Sequence, residues 1–164
     1  MTPTAMTALG LAMVLAGSVL VGTERLVSGA WVIAVGSALD GLDGAVARAS
    51  GNVTPRGAFL DSAFDRVGEV AAFAGLAFAM EGRARVLLLI VLSVGGAMLV
   101  PYMKARAEVE GLDGSGGLMG RGERLILFCA GLVFGFVEQM LWIFVVLVWL
   151  TALVRFLRSY RSIR

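Results

Sequence analysis

Four aspartates lie within residues 40–65, between segments apolar enough to enter a lipid bilayer. An aspartate at the centre of a membrane helix costs about 2.5 to 3.5 kcal/mol, so four without compensation would cost on the order of 10 kcal/mol. A fold that keeps these residues must offset their charges, and bound cations are the simplest means. The four residues are Asp40, Asp43, Asp61 and Asp65.

The spacing of these aspartates predicts that they converge. Asp40 and Asp43 are three residues apart and Asp61 and Asp65 are four apart, so each pair lies on one face of its own helix. If residues 49–56 form a turn, a rise of about 1.5 Å per residue places Asp40 and Asp65 about 12 Å from it. Asp43 and Asp61 lie about 6 to 7 Å from it by the same rise. The matched depths predict a single carboxylate cluster.

The residue types indicate what this cluster would bind. The chain has no histidine and one cysteine, Cys129, which excludes the usual nitrogen and sulfur metal sites. Carboxylates favour Mg²⁺ or Mn²⁺, and two such ions about 3.5 to 4 Å apart clamp the oxygens of a displacement at phosphorus. Gly44, Ala47 and Gly57 let a bulky ligand approach the helix backbone, and Arg48 offers a guanidinium fork for phosphate.

The pattern D-x2-D-G-x2-A-R-x8-G-x3-D-x3-D, from Asp40 to Asp65, resembles the signature of the CDP-alcohol phosphotransferases. These membrane enzymes join a CDP-activated lipid to a second alcohol and release CMP. The resemblance implies two Mg²⁺ or Mn²⁺ ions held by the four aspartates, with Asp65 also taking the proton of the acceptor hydroxyl. It implies a homodimer as well. The residues that it assigns to binding the CDP-lipid are Gly44, Ala47, Arg48 and Gly57.

Two structural alternatives to this site remain open. The acids could instead form buried salt bridges with Arg48, Arg56 and Arg66 in a plain helical hairpin. Glu69 continues the four-residue series of Asp61 and Asp65. It is expected to hold Arg66 or another basic residue beside the site, or to form an ordinary buried ion pair.

Composition predicts one all-α integral membrane domain over residues 1–164. The chain is 59% hydrophobic with a mean hydropathy of +0.88, too apolar for an ordinary soluble domain. Membrane lipids, not nucleic acid, are its expected surroundings. Gly36, Ser37 and Ala38 offer a face on which a neighbouring helix can pack closely. The six predicted transmembrane helices cover residues of about 5–21, 29–48, 57–80, 85–102, 122–137 and 140–157.

Charge predicts the orientation of these helices. Eleven of the fourteen basic residues fall on the side of the polar turn and of both termini, and the other side keeps only Arg25, Arg83 and Arg85. By the positive-inside rule the termini and the aspartate cluster face the cytoplasm, here across the cell membrane.

A second group of basic residues suggests the acceptor. These residues fall near the cytoplasmic ends of the last three predicted spans and suit a phosphorylated alcohol, although snorkelling to lipid headgroups is the alternative. The sequences KARAE (104–108) and RGERL (121–125) resemble the phosphatidylinositol phosphate synthase branch, which implies inositol phosphate as acceptor and CDP-diacylglycerol as donor. The residues are Lys104, Arg121, Arg124 and Arg155.

Other readings of the function stay open at this point. Glycerol phosphate as acceptor would give phosphatidylglycerophosphate, and an archaeal ether lipid is an alternative donor. An intramembrane cation transporter or a non-catalytic assembly module could also carry membrane aspartates. The glycine-rich residues 111–117 are interpreted as a flexible loop, with a phosphate cradle as the alternative.

Overall fold

The structure, a computed structural model, describes the backbone of residues 3–49 and 54–162 and the side chains of residues 5–41 and 54–162. The described residues form six α-helices, each close to one of the predicted spans. The chain divides into two compact units, residues 1–81 and 82–164. The prediction of a single domain over residues 1–164 stays a prediction. The helices are α1 (Pro3–Gly22), α2 (Leu26–Ala49), α3 (Pro55–Ala79), α4 (Ala84–Val109), α5 (Arg121–Phe134) and α6 (Val137–Ser162).

Three helices are long and apolar enough to cross a membrane, namely Ala5–Gly22 within α1, α4 and α6. The apolar part of α2, Leu26–Gly41, is shorter. The regular structure of the described residues is thus entirely helical, and its apolar helices are consistent with a membrane protein. Helix α5 has 14 residues, which is about 21 Å at the usual rise and less than the roughly 30 Å of a bilayer core.

Glycines bring α1 and α2 together in the first unit. A Cβ on Gly10 would lie 2.8 Å from the carbonyl oxygen of Gly36, and one on Gly17 would lie 2.9 Å from that of Gly29. Gly10 and Gly17 are seven residues apart in α1, and Gly29 and Gly36 are seven residues apart in α2. The two glycines of each helix therefore lie on one face, two turns apart. Because no side chain intervenes, the two antiparallel backbones meet directly, as the small residues around Gly36 predict.

Helix α3 completes the first unit on another face of α1. A Cβ on Gly75 would clash with the carbonyl oxygen of Ser18, so these helices also approach at backbone distance. The start of α3 is fixed by Thr54, whose hydroxyl accepts a hydrogen bond from the N–H of Gly57 at 3.1 Å, and by Pro55 in the first turn.

In the second unit α6 packs against both α4 and α5. Gly96 of α4 leaves room for Val148 and Trp149, and the indole N–H of Trp149 donates to the carbonyl oxygen of Leu92 at 3.0 Å. Gly135 ends α5 in the left-handed conformation, with φ of 76°. Helix α6 therefore follows after two residues.

Candidate active site

Three acidic side chains from α2 and α3 come together in the first unit. One carboxylate oxygen from each of Asp40, Asp61 and Asp65 lies within 4.8 Å of the other two. Asp40 is on α2, and the other two lie about one turn apart on α3. The predicted convergence of carboxylates from two helices is confirmed for these three.

Asp40 of this cluster is buried, and Asp61 and Asp65 are partly buried. Asp40 is 6% exposed, and the side chain of Asp65 is 9% exposed. The Oδ1 atoms of both are buried and accept no hydrogen bond from the described residues. Both residues have other interactions. Because a desolvated carboxylate oxygen is costly without a hydrogen bond or a cation, the oxygen donor set fits Mg²⁺ or Mn²⁺.

Arg66 engages the other oxygen of Asp65. Its Nη2 atom lies 3.5 Å from Oδ2 of Asp65, and its Nη1 atom lies 3.7 Å from Oε2 of Glu69. Oδ2 of Asp65 is therefore paired with a guanidinium, and its Oδ1 is buried. Glu69 therefore pairs with Arg66, as both of the roles expected for it allow.

The remaining signature residues are placed only in part. Gly57 lies in the exposed first turn of α3, and a Cβ there would approach only the hydroxyl of Thr54, at 3.0 Å. A ligand can therefore come close to this turn. Four more signature residues lie in the last turns of α2, where the structure describes the backbone but not the side chains. These residues are Asp43, Gly44, Ala47 and Arg48.

The predicted acceptor-binding residues all belong to the second unit but differ in environment. Lys104 is half exposed and lies 3.7 Å from Glu108. Arg121 is the first residue of α5, whereas Arg124 is buried one turn later with 3% exposure. Arg155 of α6 is partly buried, and the charges of Arg124 and Arg155 act on each other. Two of the four cations, Arg124 and Arg155, are thus withdrawn from solvent to different degrees within the unit.

Both of these arginines bind the α4–α5 loop, residues 110–120. Nη1 of Arg124 donates to the carbonyl oxygen of Met119 at 3.1 Å. Nε of Arg155 donates to the carbonyl oxygen of Gly116 at 2.8 Å, and its Nη1 donates to that of Val100 at 2.9 Å. Residues 112–117 are a loop, as predicted, and Gly116 is held to α6 by a hydrogen bond; that this loop is flexible stays a prediction.

The first half of the loop has its own turn. Asp113 accepts hydrogen bonds from the N–H and the hydroxyl of Ser115, at 2.9 and 2.8 Å. These bonds, the side-chain one first, hold the pKa of the Asp113 carboxyl below its ordinary value of 3.8. Asp113 therefore stays charged at neutral pH, on the exposed side of the loop.

Comparison with known proteins assigns the family. Residues 1–157 match the model of the CDP-alcohol phosphatidyltransferase family. The chain belongs to this family, which agrees with the signature from Asp40 to Asp65.

Several relatives and solved structures have the name phosphatidylinositol phosphate synthase. A phosphatidylinositol phosphate synthase of Mycobacterium marinum is 42% identical over 136 residues, which are 80% of this chain and 58% of the relative. An archaetidylinositol phosphate synthase of Pyrococcus horikoshii is 34% identical over 158 residues, 94% of this chain and 81% of the relative. The chain spans about three fifths of the length of the mycobacterial relatives that it matches.

The fold resembles that of a solved relative. The crystal structure of Mycobacterium tuberculosis phosphatidylinositol phosphate synthase with CDP-DAG bound has a TM-score of 0.88 and 32% identity, covering 98% of this chain and 87% of that chain. The same enzyme in complex with manganese and citrate has a TM-score of 0.89, covering 98% and 83%.

Proposed function

We propose that this protein transfers the lipid-phosphate group of a CDP-linked lipid, CDP-diacylglycerol, to inositol phosphate and releases CMP. The observation that carries the proposal is the convergence of Asp40, Asp61 and Asp65, whose carboxylate oxygens, one from each, lie within 4.8 Å of one another, in a chain that belongs to the CDP-alcohol phosphatidyltransferase family. The names of the relatives agree on inositol phosphate and differ in the lipid, phosphatidyl or archaetidyl.

The aspartates would hold two divalent cations, Mg²⁺ or Mn²⁺. Asp43 joins the three clustered residues in this proposal because it lies one turn after Asp40 on α2. When bound, the ions supply positive charge to the diphosphate of the CDP-lipid. The complex of the tuberculosis enzyme with manganese supports this choice of metal.

The reaction we propose is a single displacement at the phosphorus attached to the lipid. Asp65 takes the proton of the acceptor hydroxyl, whose oxygen forms the new bond to phosphorus while the bond to the CMP oxygen breaks. Arg66, whose Nη2 atom lies 3.5 Å from Oδ2 of Asp65, would help to hold this carboxylate in the cluster. The exposed first turn of α3 at Gly57, together with Gly44, Ala47 and Arg48 of α2, would receive the CDP moiety.

The phosphate of the acceptor would be bound by residues of the second unit. The charges of Arg124 and Arg155 act on each other, and a phosphate dianion would relieve their mutual repulsion. Lys104 and Arg121 would add charge at the ends of α4 and α5 nearest the α4–α5 loop.

We further propose that all six helices reach into the cell membrane, with both termini and the aspartate cluster on the cytoplasmic side. The asymmetric distribution of basic residues supports this orientation. The short α5 would then keep Arg121, its first residue, at the interface. A homodimer belongs to the same proposal and rests on the family resemblance.

The test is an acceptor screen on the purified protein in lipid vesicles. CDP-diacylglycerol and Mg²⁺ are supplied with inositol phosphate, glycerol phosphate, free inositol, serine or no acceptor, and CMP release is measured. We expect CMP only with inositol phosphate. Faster release with glycerol phosphate would make the protein a phosphatidylglycerophosphate synthase. Metal flux without CMP release would identify a cation transporter instead.

A further inference from the structure

One buried hydroxyl of α6 fastens the α4–α5 loop. Thr151 is 1% exposed. Its Oγ1 accepts hydrogen bonds from the N–H groups of Leu118 and Met119, at 3.2 and 3.1 Å, and donates to the carbonyl oxygen of Leu147 at 2.8 Å. A hydroxyl has one donor and two acceptor positions, so the hydrogen-bonding capacity of Thr151 is used in full.

The same loop backbone binds two arginines, the buried Arg124 and the partly buried Arg155. Met119 donates its N–H to Thr151 and offers its carbonyl oxygen to Arg124. Arg155 lies four residues after Thr151, on the same face of α6, and binds the carbonyl oxygen of Gly116. Thr151 therefore fixes the two peptide groups that lie between those whose carbonyl oxygens bind Arg155 and Arg124.

The loop is shaped to lie close to Thr151. Gly116 and Gly117 have φ of 111° and 94°, in the region that favours glycine. A Cβ on Gly117 would clash with the side chain of Thr151. On the other side, a Cβ on Gly114 would lie 2.6 Å from the carbonyl oxygen of Lys104. The segment 114–119 is thus packed against both α4 and α6.

Arg155 keeps donors for a ligand. Within the described part of the chain, the bonds of Arg155 to Gly116 and Val100 occupy two of its five N–H donors. The remaining donors of its planar fork have a fixed direction because the two carbonyl oxygens hold the plane of the guanidinium group. Arg124 is a second cation, whose charge acts on that of Arg155.

We propose that Thr151 is a positioning residue for the phosphate group of the acceptor, acting through the α4–α5 loop. Its hydroxyl holds residues 118 and 119 to α6, and the loop carbonyl oxygens then set the directions of Arg124 and Arg155. Thr151 itself does not touch the substrate. This inference rests on the proposed function, because it assigns the acceptor phosphate to these two arginines.

The test compares three variants of the full chain in detergent or vesicles. Thr151→Val keeps the shape but removes the hydroxyl, and Thr151→Ser keeps the hydroxyl. Thr23→Val is the matched control, because the Thr23 hydroxyl also donates to a backbone carbonyl oxygen, that of Leu20, but lies in the first unit. Hydrogen exchange of residues 113–120, the KM values of both substrates and the thermal shift caused by inorganic phosphate are measured.

We expect Thr151→Val to speed exchange of residues 113–120 about tenfold, because two N–H groups lose their acceptor. The KM for inositol phosphate should rise about tenfold while the KM for CDP-diacylglycerol changes less than twofold, and the stabilisation by inorganic phosphate should be lost. Thr151→Ser and Thr23→Val should behave like the unchanged protein. A merely structural role would raise both KM values or lower kcat alone.

Several results would overturn the inference. One is unchanged exchange in Thr151→Val, and another is faster exchange with an unchanged KM for inositol phosphate. If Thr151→Val does not fold, Gly117→Ala displaces the loop without altering α6. This variant is also expected to raise the KM for inositol phosphate while leaving the KM for CDP-diacylglycerol nearly unchanged. If the unchanged protein releases no CMP with any acceptor, the proposed function fails. Phosphate stabilisation that is equal in Thr151→Val and the unchanged protein would then separately reject the role of Thr151.

Discussion

Gly10 of α1 lies directly against Asp40 of α2, so a methyl group at Gly10 would lie 3.1 Å from Cβ of Asp40 and 2.8 Å from the carbonyl oxygen of Gly36. This contact explains why Asp40 is buried at 6% exposure. The close approach of the α1 and α2 backbones thus shields the Asp40 side chain from solvent on this side. Its carboxylate lies in the cluster with those of Asp61 and Asp65.

Gly10→Ala should therefore weaken metal binding as well as stability. The new methyl group must separate α1 from α2, and such overpacking costs about 1 to 3 kcal/mol. Gly41→Ala is the control, since Gly41 follows Asp40 on the same helix and a Cβ there meets nothing within 4 Å. The melting temperature and its increase with Mn²⁺ are measured. A normal Mn²⁺ response in Gly10→Ala would contradict the role of this contact.

Asp61→Asn should abolish CMP release while the protein stays folded. The amide keeps the size of the side chain but removes a negative charge from the cluster, and loss of a metal ligand lowers kcat by about two orders of magnitude or more. Asp113→Asn, the fifth aspartate of the chain, should keep CMP release at saturating inositol phosphate, because its exposed carboxyl lies outside the cluster. Full activity of Asp61→Asn would remove the metal-cluster hypothesis.

The sequence predicted the cluster because helix geometry alone relates residues three and four positions apart. It also predicted the close packing at Gly36, since small residues in an apolar helix indicate a face on which another helix can pack closely. The ties from Thr151 and Arg155 to the loop join residues 32 to 39 positions apart. No periodicity encodes such contacts, and a run of glycines is equally typical of an open loop. The end of α5 at Phe134 likewise depends on Gly135 adopting a positive φ.

Arg66→Gln should lower kcat about tenfold and change the Mn²⁺ dependence of the reaction. Without the guanidinium, Oδ2 of Asp65 loses its charged neighbour and the carboxylate can turn away from the cluster. Arg106→Gln is the matched control because Arg106 pairs with Glu110 on an exposed face of α4. Steady-state rates are recorded across a Mn²⁺ titration. Equal behaviour of the two variants would show that the ion pair at Asp65 has no part in the site.

Arg155→Lys should raise the KM for inositol phosphate although the charge is kept. A lysine cannot donate to the carbonyl oxygens of Gly116 and Val100 in the fixed fork of a guanidinium group, so both the loop and the direction of the remaining donors change. A rise of about tenfold or more corresponds to the loss of one charge-assisted hydrogen bond. Arg161→Lys, on the exposed last turn of α6, should leave both KM values unchanged. If Arg155→Lys also leaves the KM for inositol phosphate unchanged, positive charge alone suffices, and the guanidinium geometry fixed by the loop has no role in binding.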